Sequence, residues 1–473
     1  MKKTLLLCAL ATLGLGGCEK FLEEQPADFV ASENFYRNEG DAVAALNGVF
    51  STMQPQVYFG RTVWLITELP TDLVRVGSAT DERALLSRFA YNATLTEISN
   101  WWTSSYRLIN RANDVIEKVP GISMDEAKRN NLVGNARFLR AMAYFDLVRC
   151  FGDVPLRLTS VRSPNEELRQ ARTPLAQVYE QIILDLQFAE ANCLPENLIP
   201  AGEKGRVSSG AAAALLAKAY RTRATTSAQQ AEDNQKALEA CNRVIASNRY
   251  SLLPTYGDVF LPDRENGPEH IFSVQFDLPP NTGNIIVRQF LPTQLQGLGS
   301  FTVEDAFAAS YATTDVRRAW NISNVAGSTT LPRFYFNKFR DDRRAGNDSR
   351  ANWLVTRYAD VLLLRSEILN ELNPAGTDKY ININQVRLRA GLAALPTTPT
   401  TREAFVDLLL RERAWELCIE GHRWYDLVRL GRLLQVRKPA AIQPNAVDPK
   451  YLLFPIPQSE LLLNPNVTQN PGH

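Results

Sequence analysis

The sequence predicts a mostly α fold: a scaffold of tetratricopeptide-like helical repeats carrying an irregular, loop-rich lobe with short strands. Two observations carry this. Ala136-x-x-Leu139-x-Ala141-x-Ala143-Tyr144 recurs as Ala212-x-x-Leu215-x-Ala217-x-Ala219-Tyr220, and a looser copy, Ala359-x-x-Leu362-x-Leu364, follows. Small residues at this spacing let two helices approach closely while larger ones fill the gap to the next pair. The step from Tyr144 to Tyr220 is 76 residues, close to two repeats of about 34 plus a loop. The second observation is interruption: residues 54–94 and 250–350 are rich in Pro, Gly, Asn, Thr and aromatics, and long irregular stretches within a globular unit are usually functional.

Taken in order, periodicity places helices near 40–53, 97–118, 125–150, 173–193, 208–223, 232–247, 356–372, 379–390 and 401–430. Ser123 with Glu126 fits a capping box at the start of the third, and Phe151-Gly152-Asp153-Val154-Pro155 stops it. Thr173 before Pro174 fits an N-cap followed by proline at the first helical position. Ile271-Phe272-Ser273-Val274-Gln275-Phe276 reads as a short strand in the lobe.

The start of the chain has a different character. Lys2 and Lys3, an apolar run from Thr4 to Leu13 and then Leu15-Gly16-Gly17-Cys18 have the order of a lipoprotein signal. The run is too short to span a bilayer, which takes roughly 20 residues. Residues 1–17 are expected to be removed and Cys18 lipidated, leaving residues 18–473 as one unit on a membrane surface. Two or more acyl chains suffice for stable anchoring.

Composition is globular, with 45% hydrophobic and 22% charged residues. The 52 basic and 51 acidic side chains leave a net charge of +1, which offers nucleic acid or anionic lipid no attractive field, while the asparagines and aromatics outside the helices suit a ligand that is polar but uncharged. Beyond Cys8 and Cys18, four cysteines remain, Cys150, Cys193, Cys241 and Cys418, with no CxxC pair. They read as buried free thiols ahead of a disulfide framework or metal site. His270, His422 and His473 lack zinc-site spacing, so no metal or cofactor is expected.

Glu412, Glu416 and Glu420 recur every four residues, with His422 and Asp426 following, and superficially resemble an acid/base cluster. Arg411, Arg413, Arg423 and Arg429 are interleaved with them, and ion pairing lowers a carboxylate pKa where general acid catalysis needs it raised. A structural ion-pair network is therefore preferred to a catalytic site. No GxSxG, P-loop or GxGxxG motif supports another enzyme class.

The segment Cys18-Glu19-Lys20-Phe21-Leu22-Glu23-Glu24-Gln25-Pro26, then Asn34-Phe35-Tyr36, and Trp102-x-x-x-Tyr106-x-x-Ile109-x-x-x-Asn113-x-x-Ile116 resemble the RagB/SusD family of outer-membrane nutrient-binding lipoproteins. The most specific likeness is RERAWELCIEGHRWYDLVRLGR, Arg411 to Arg432, followed by Pro455-Ile456-Pro457-Gln458-Ser459-Glu460-Leu461 and the Asn464-Pro465-Asn466 and Gln469-Asn470-Pro471-Gly472 turns. His473 stands where the family commonly has tyrosine. The resemblance implies a non-catalytic lid that captures oligosaccharide and delivers it to a SusC-like TonB-dependent transporter in the outer membrane. Peptide cargo, and an envelope scaffold that uses its helices for assembly alone, are the competing readings.

Sugar faces pack on aromatic planes and their hydroxyls need polar side chains at the rim. Trp102, Tyr106, Ile109, Asn113 and Ile116 share one helical face, and Trp101 points about 100° away from it, toward a ligand beside Asn100 or toward a neighbouring loop. Tyr58 and Phe59 lie in a loop. Asp72 and Arg75 follow Glu68-Leu69-Pro70-Thr71, a segment similar to one near the family's binding pocket, and the resemblance adds Tyr311, Trp320, Phe334 and Tyr335 in the second irregular stretch as stacking candidates.

Overall fold

Helix α1, Glu39–Ser51, begins where the Asn38 side chain accepts the Asp41 N–H at 3.1 Å, filling one of the orphan donors of a first turn. The computed structural model describes residues 35–77, 81–161, 169–436, 438, 443 and 445–473. The signal segment and Cys18 lie outside the described residues. Helices of seven residues or more continue as α2 Thr62–Glu68, α3 Thr96–Lys118, α4 Glu126–Phe151, α5 Leu175–Asn192, α6 Ser209–Arg223 and α7 Asp233–Ala246. The last four are α8 Tyr358–Leu372, α9 Lys379–Arg389, α10 Arg402–Leu417 and α11 Arg423–Arg429.

From α3 to α8 each helix packs on the next, and α8 then meets both α9 and α10. Ala136, Ala141 and Ala143 on α4 and Ala212, Ala217 and Ala219 on α6 are fully buried, as expected of small residues packed inside a tetratricopeptide-like array. The matching tyrosines serve different partners: Tyr144 donates to the Arg157 carbonyl at 2.8 Å, while Tyr220 accepts from Gln187 at 3.2 Å. One apolar cluster runs from Ala42 to Val467, and a second, including Leu363, Tyr380 and Phe405, joins α8, α9 and α10.

Two helix starts differ from the sequence reading. Asp125, not Ser123, caps α4 by accepting the Lys128 N–H at 2.9 Å. Pro174 rather than Thr173 occupies the N-cap of α5, and Asp153, from the preceding turn, accepts the Leu175 N–H at 2.7 Å in place of a local cap. The ninth expected helix is two: after Leu417 the chain turns through Ile419 at φ 51° and Gly421 at φ 81° before α11 begins. A Cβ on Gly421 would lie 2.8 Å from the Trp353 ring, so both conformation and space call for glycine there.

Among the described residues the lobe contains three two-stranded antiparallel ribbons: β1 Val74–Val76 with β3 Phe301–Val303, β2 His270–Val274 with β6 Trp353–Arg357, and β4 Ile322–Ala326 with β5 Thr329–Phe336. All five residues of β2 are buried. Among the described residues no helix is long and apolar enough to cross a membrane.

Candidate functional site

The ribbon of β1 and β3 sets two distant segments edge to edge. Arg75 lies opposite Thr302, and the Glu304 N–H donates to the Leu73 carbonyl at 2.9 Å. Asp72 and Arg75 therefore stand beside Glu304 and Asp305. Across from them, Asp407, Arg411 and Trp415 fall every four residues on α10 and share one face. α11 adds Arg423 and Leu427, and Arg432, Gln435 and Val436 complete the wall. These groups enclose a cleft of about 590 Å³.

The apolar side chains at the base of the cleft, Phe307, Leu410, Ala414, Trp415, Leu427 and Val436, are largely buried and present only their edges to it, and the Trp415 indole N–H donates to the Ser310 hydroxyl at 2.9 Å. Its rim is a set of ion pairs. Arg423 grips Asp72 through two hydrogen bonds of 2.7 and 2.6 Å. Arg75 meets Glu304 at 3.2 Å and Asp305 at 3.8 Å, Arg333 binds both oxygens of Asp305 at 2.8 and 2.9 Å, and Arg432 bonds Asp407 at 3.0 Å. Paired guanidiniums and carboxylates are preoriented donors and acceptors, and with an apolar floor they match an amphipathic polyol ring.

Of the ten candidate binding residues read from the sequence, the structure brings Asp72 and Arg75 to this cleft. Several others are core. Trp101, Tyr58 and Phe59 are buried and pack on one another, with ring centroids 4.5 to 5.5 Å apart. The 100° offset of Trp101 does not reach solvent because α3 is covered by α4 on one side and by α1 and α2 on another, which widens its buried arc. Trp102, expected in the core, is there, donating to Glu460 at 3.2 Å.

Tyr311 is buried with its hydroxyl accepting from Asn321 at 3.0 Å, and Tyr335 is buried with its hydroxyl on the Val325 carbonyl at 2.9 Å. Trp320 is half-buried, but Arg340 lies 3.6 Å from its ring centroid, its N–H is on the Lys338 carbonyl, and a Cβ at Gly257 would sit 2.4 Å from an indole carbon. That ring is already occupied by protein. Phe334 and Asn100 are half-buried away from the cleft, with Arg318 5.4 Å from the Phe334 centroid.

The sequence reading did not single out Phe307, Ser310, Asp407, Trp415 or Gln435 as site residues. The four-residue spacing of Asp407, Arg411 and Trp415 was the available signal, hidden inside a stretch that reads as scaffold.

The acid/base lookalike is an ion-pair seam between α10 and the lobe. The partners of its three glutamates are not the arginines interleaved with them, whereas Asp426 is held by two of those, Arg413 and Arg429. Glu416 is bound by Arg357 at 2.6 Å, Arg317 at 2.9 Å and Arg389; Glu412 by Arg317 at 2.7 Å and Arg387 at 2.9 Å. Glu420 meets Arg357 at 2.7 Å and Lys338 at 2.6 Å. Lys338 also donates to the carbonyls of Glu416 and Cys418 at 2.9 Å each, serving the orphan acceptors at the end of α10. Of the interleaved arginines, Arg413 joins Asp360 and Asp426, and Arg429 joins Glu367 and Asp426.

Burial raises the Glu416 pKa, but Arg389, Arg357 and Arg317 outweigh it and hold the carboxyl well below its ordinary value. Burial is likewise outweighed at Asp426 by Arg413 and Arg429, leaving it at about 2. Burial pushes His422 down to about 3 against the pull of Asp360, so its imidazole is neutral. Glu416 and Asp426 are charge clamps, and His422 is a neutral neighbour among them. Cys150, Cys193, Cys241 and Cys418 are buried free thiols, and among the described residues no group of three or more His, Cys, Asp and Glu is placed to hold a metal ion.

Comparison with known proteins adds to this geometry. Residues 305–473 match the SusD family model, and residues 20–221 match a model described as starch-binding, associating with outer membrane. The chain is 29% identical to the SusD-like protein P2 of Formosa agariphila across the full length of both. It is similar in structure to a SusD superfamily protein from Parabacteroides distasonis, with 29% identity, a TM-score of 0.82, and 92% of this chain and 99% of that one covered. A laminarin-binding SusD-like protein matches at 27% identity and a TM-score of 0.78, over 93% of this chain and all of the other.

Proposed function

Because the chain belongs to the SusD/RagB family, we propose that it is a surface lipoprotein, anchored through Cys18 in the outer membrane, that binds oligosaccharide without transforming it and passes it to a SusC-like TonB-dependent transporter. Residues 18–473 act as one unit in this reading. The cleft between the β1/β3 ribbon and α10 is the capture site, and the observation that carries the reading is its ion-paired rim over an apolar floor containing Trp415. The laminarin-binding relative supports a carbohydrate as the ligand. Stacked helices make broad, stable surfaces, so the α3 to α8 array is the docking face for the transporter.

Calorimetric titration of the mature protein against panels of oligosaccharides and peptides tests this. Saccharide heat that falls when Asp305→Ala or Gln435→Ala alters the rim, and persists when Trp320→Ala removes an aromatic outside the cleft, is the expected result. Heat with peptides alone would transfer the role to peptide capture. Silence with both panels would leave assembly through the helical array as the function.

A further inference from the structure

The cleft lining holds four carboxylates and four guanidiniums, but Asp305 turns to Arg333 outside the lining, and the guanidinium this leaves over names a ligand chemistry. Each carboxylate of the lining is committed: Asp72 to Arg423, Glu304 to Arg75, Asp305 to Arg333 and Asp407 to Arg432. Four guanidiniums line the same cleft, and three of them are consumed by these pairs. The fourth, Arg411, is exposed on the cleft wall and makes no ion pair or hydrogen bond among the described residues. The acid one helical turn before it, Asp407, is held by Arg432.

Resting on the capture reading above, we propose that the cleft selects saccharides bearing an acidic substituent, a carboxylate or sulfate ester, which pairs with Arg411. Trp415 lies four residues beyond Arg411 on the same face of α10, about 6 Å along the helix axis, and both line the cleft. A ring resting on this floor carries an equatorial or exocyclic oxyanion to the guanidinium, whose planar fork donates to such groups at two points. The asparagines and aromatics outside the helices suit an uncharged ligand; the one lining guanidinium left without a carboxylate points the other way.

The test titrates the full-length protein in detergent with an oligogalacturonate, a sulfated galactan oligosaccharide and a neutral gluco-oligosaccharide of equal length, at low and high salt. The expected result is preference for one or both acidic probes, weakened by salt, and lost on the order of tenfold or more in Arg411→Gln. Arg411→Lys, which keeps the charge without the fork, should fall between. Preference for the carboxylate or the sulfate probe identifies which oxyanion is read. Neutral and acidic probes bound equally, with Arg411→Gln indifferent, would overturn the selection by charge while leaving saccharide capture intact. Failure to bind any saccharide would overturn the capture reading itself.

Discussion

Arg423 and Asp72 are 351 positions apart in sequence and form a two-point ion pair at 2.7 and 2.6 Å. The pair ties the segment leading into β1 to the first residue of α11, and so fixes two walls of the cleft relative to each other. Arg423 also donates to the Leu410 carbonyl at 2.8 Å, reaching α10 as well.

Replacing Arg423 with Ala is therefore expected to loosen the cleft. Stability should fall by about 1 to 3 kcal/mol, the cost of leaving hydrogen-bonded partners of a charged group unmade. Ligand affinity should fall with it, because the rim loses its preorganisation. Urea denaturation and calorimetry on the same variant check the two effects. Arg423→Lys should recover part of the stability but not the two-point geometry.

The Glu416 and Arg357 pair is fully buried, with Arg317 and Arg389 on the same carboxylate. Removing one member of such a pair strands the other in a low dielectric. Glu416→Ala should cost about 3 to 5 kcal/mol, measured as a shift of the denaturation midpoint. A change in ligand affinity without a stability loss would contradict the structural role.

Glu68 at the end of α2 gives a pH effect of definite sign. One oxygen accepts the Gly421 N–H at 2.7 Å, and the other is buried without a hydrogen bond among the described residues. Burial raises its pKa to about 8, beyond the lowering by the Gly421 N–H, Lys338 and Arg423, with Glu420 adding to the rise. Folded protein thus keeps a proton that the unfolded chain releases near its ordinary value. Stability from this group falls as pH rises from about 4.5 to 8 and levels off above that. Glu68→Gln should match the parent near pH 5 and exceed it at pH 8 by an amount on the order of a few kcal/mol. Denaturant curves at both pH values decide it.

Trp101 separates a core role from a ligand role. It is buried against Tyr58 and Phe59, so Trp101→Ala should destabilise by about 3 to 5 kcal/mol through the cavity it leaves. Folded protein carrying the change should bind ligand with unaltered affinity. A loss of affinity at constant stability would return this tryptophan to the binding surface.

The helical half of the fold was legible because periodicity and caps are local. Eight of the nine expected helices begin and end within two residues of their observed bounds, from α1 at Glu39–Ser51 to α9 at Lys379–Arg389. The alanine spacing on α4 and α6 declared the tight packing, since a residue without side chain bulk at a fixed helical phase has a simple meaning. The split between α10 and α11 was missed because Ile419 adopts φ 51°, a conformation its type does not announce.

The cleft lay beyond local reading. Asp72 and Arg75 meet Asp407 and Trp415 because β1 pairs with β3 across more than two hundred residues and α10 is brought against that ribbon. The aromatics of stretches that read as irregular followed the same logic in reverse: Tyr58, Tyr311 and Tyr335, the last of them on β5, are all buried. Composition and phase therefore specify which residues can form a helix and which want to leave water. Whether an aromatic ring meets a ligand or another ring, and which arginine is left without a carboxylate, depends on the neighbours that long-range packing supplies.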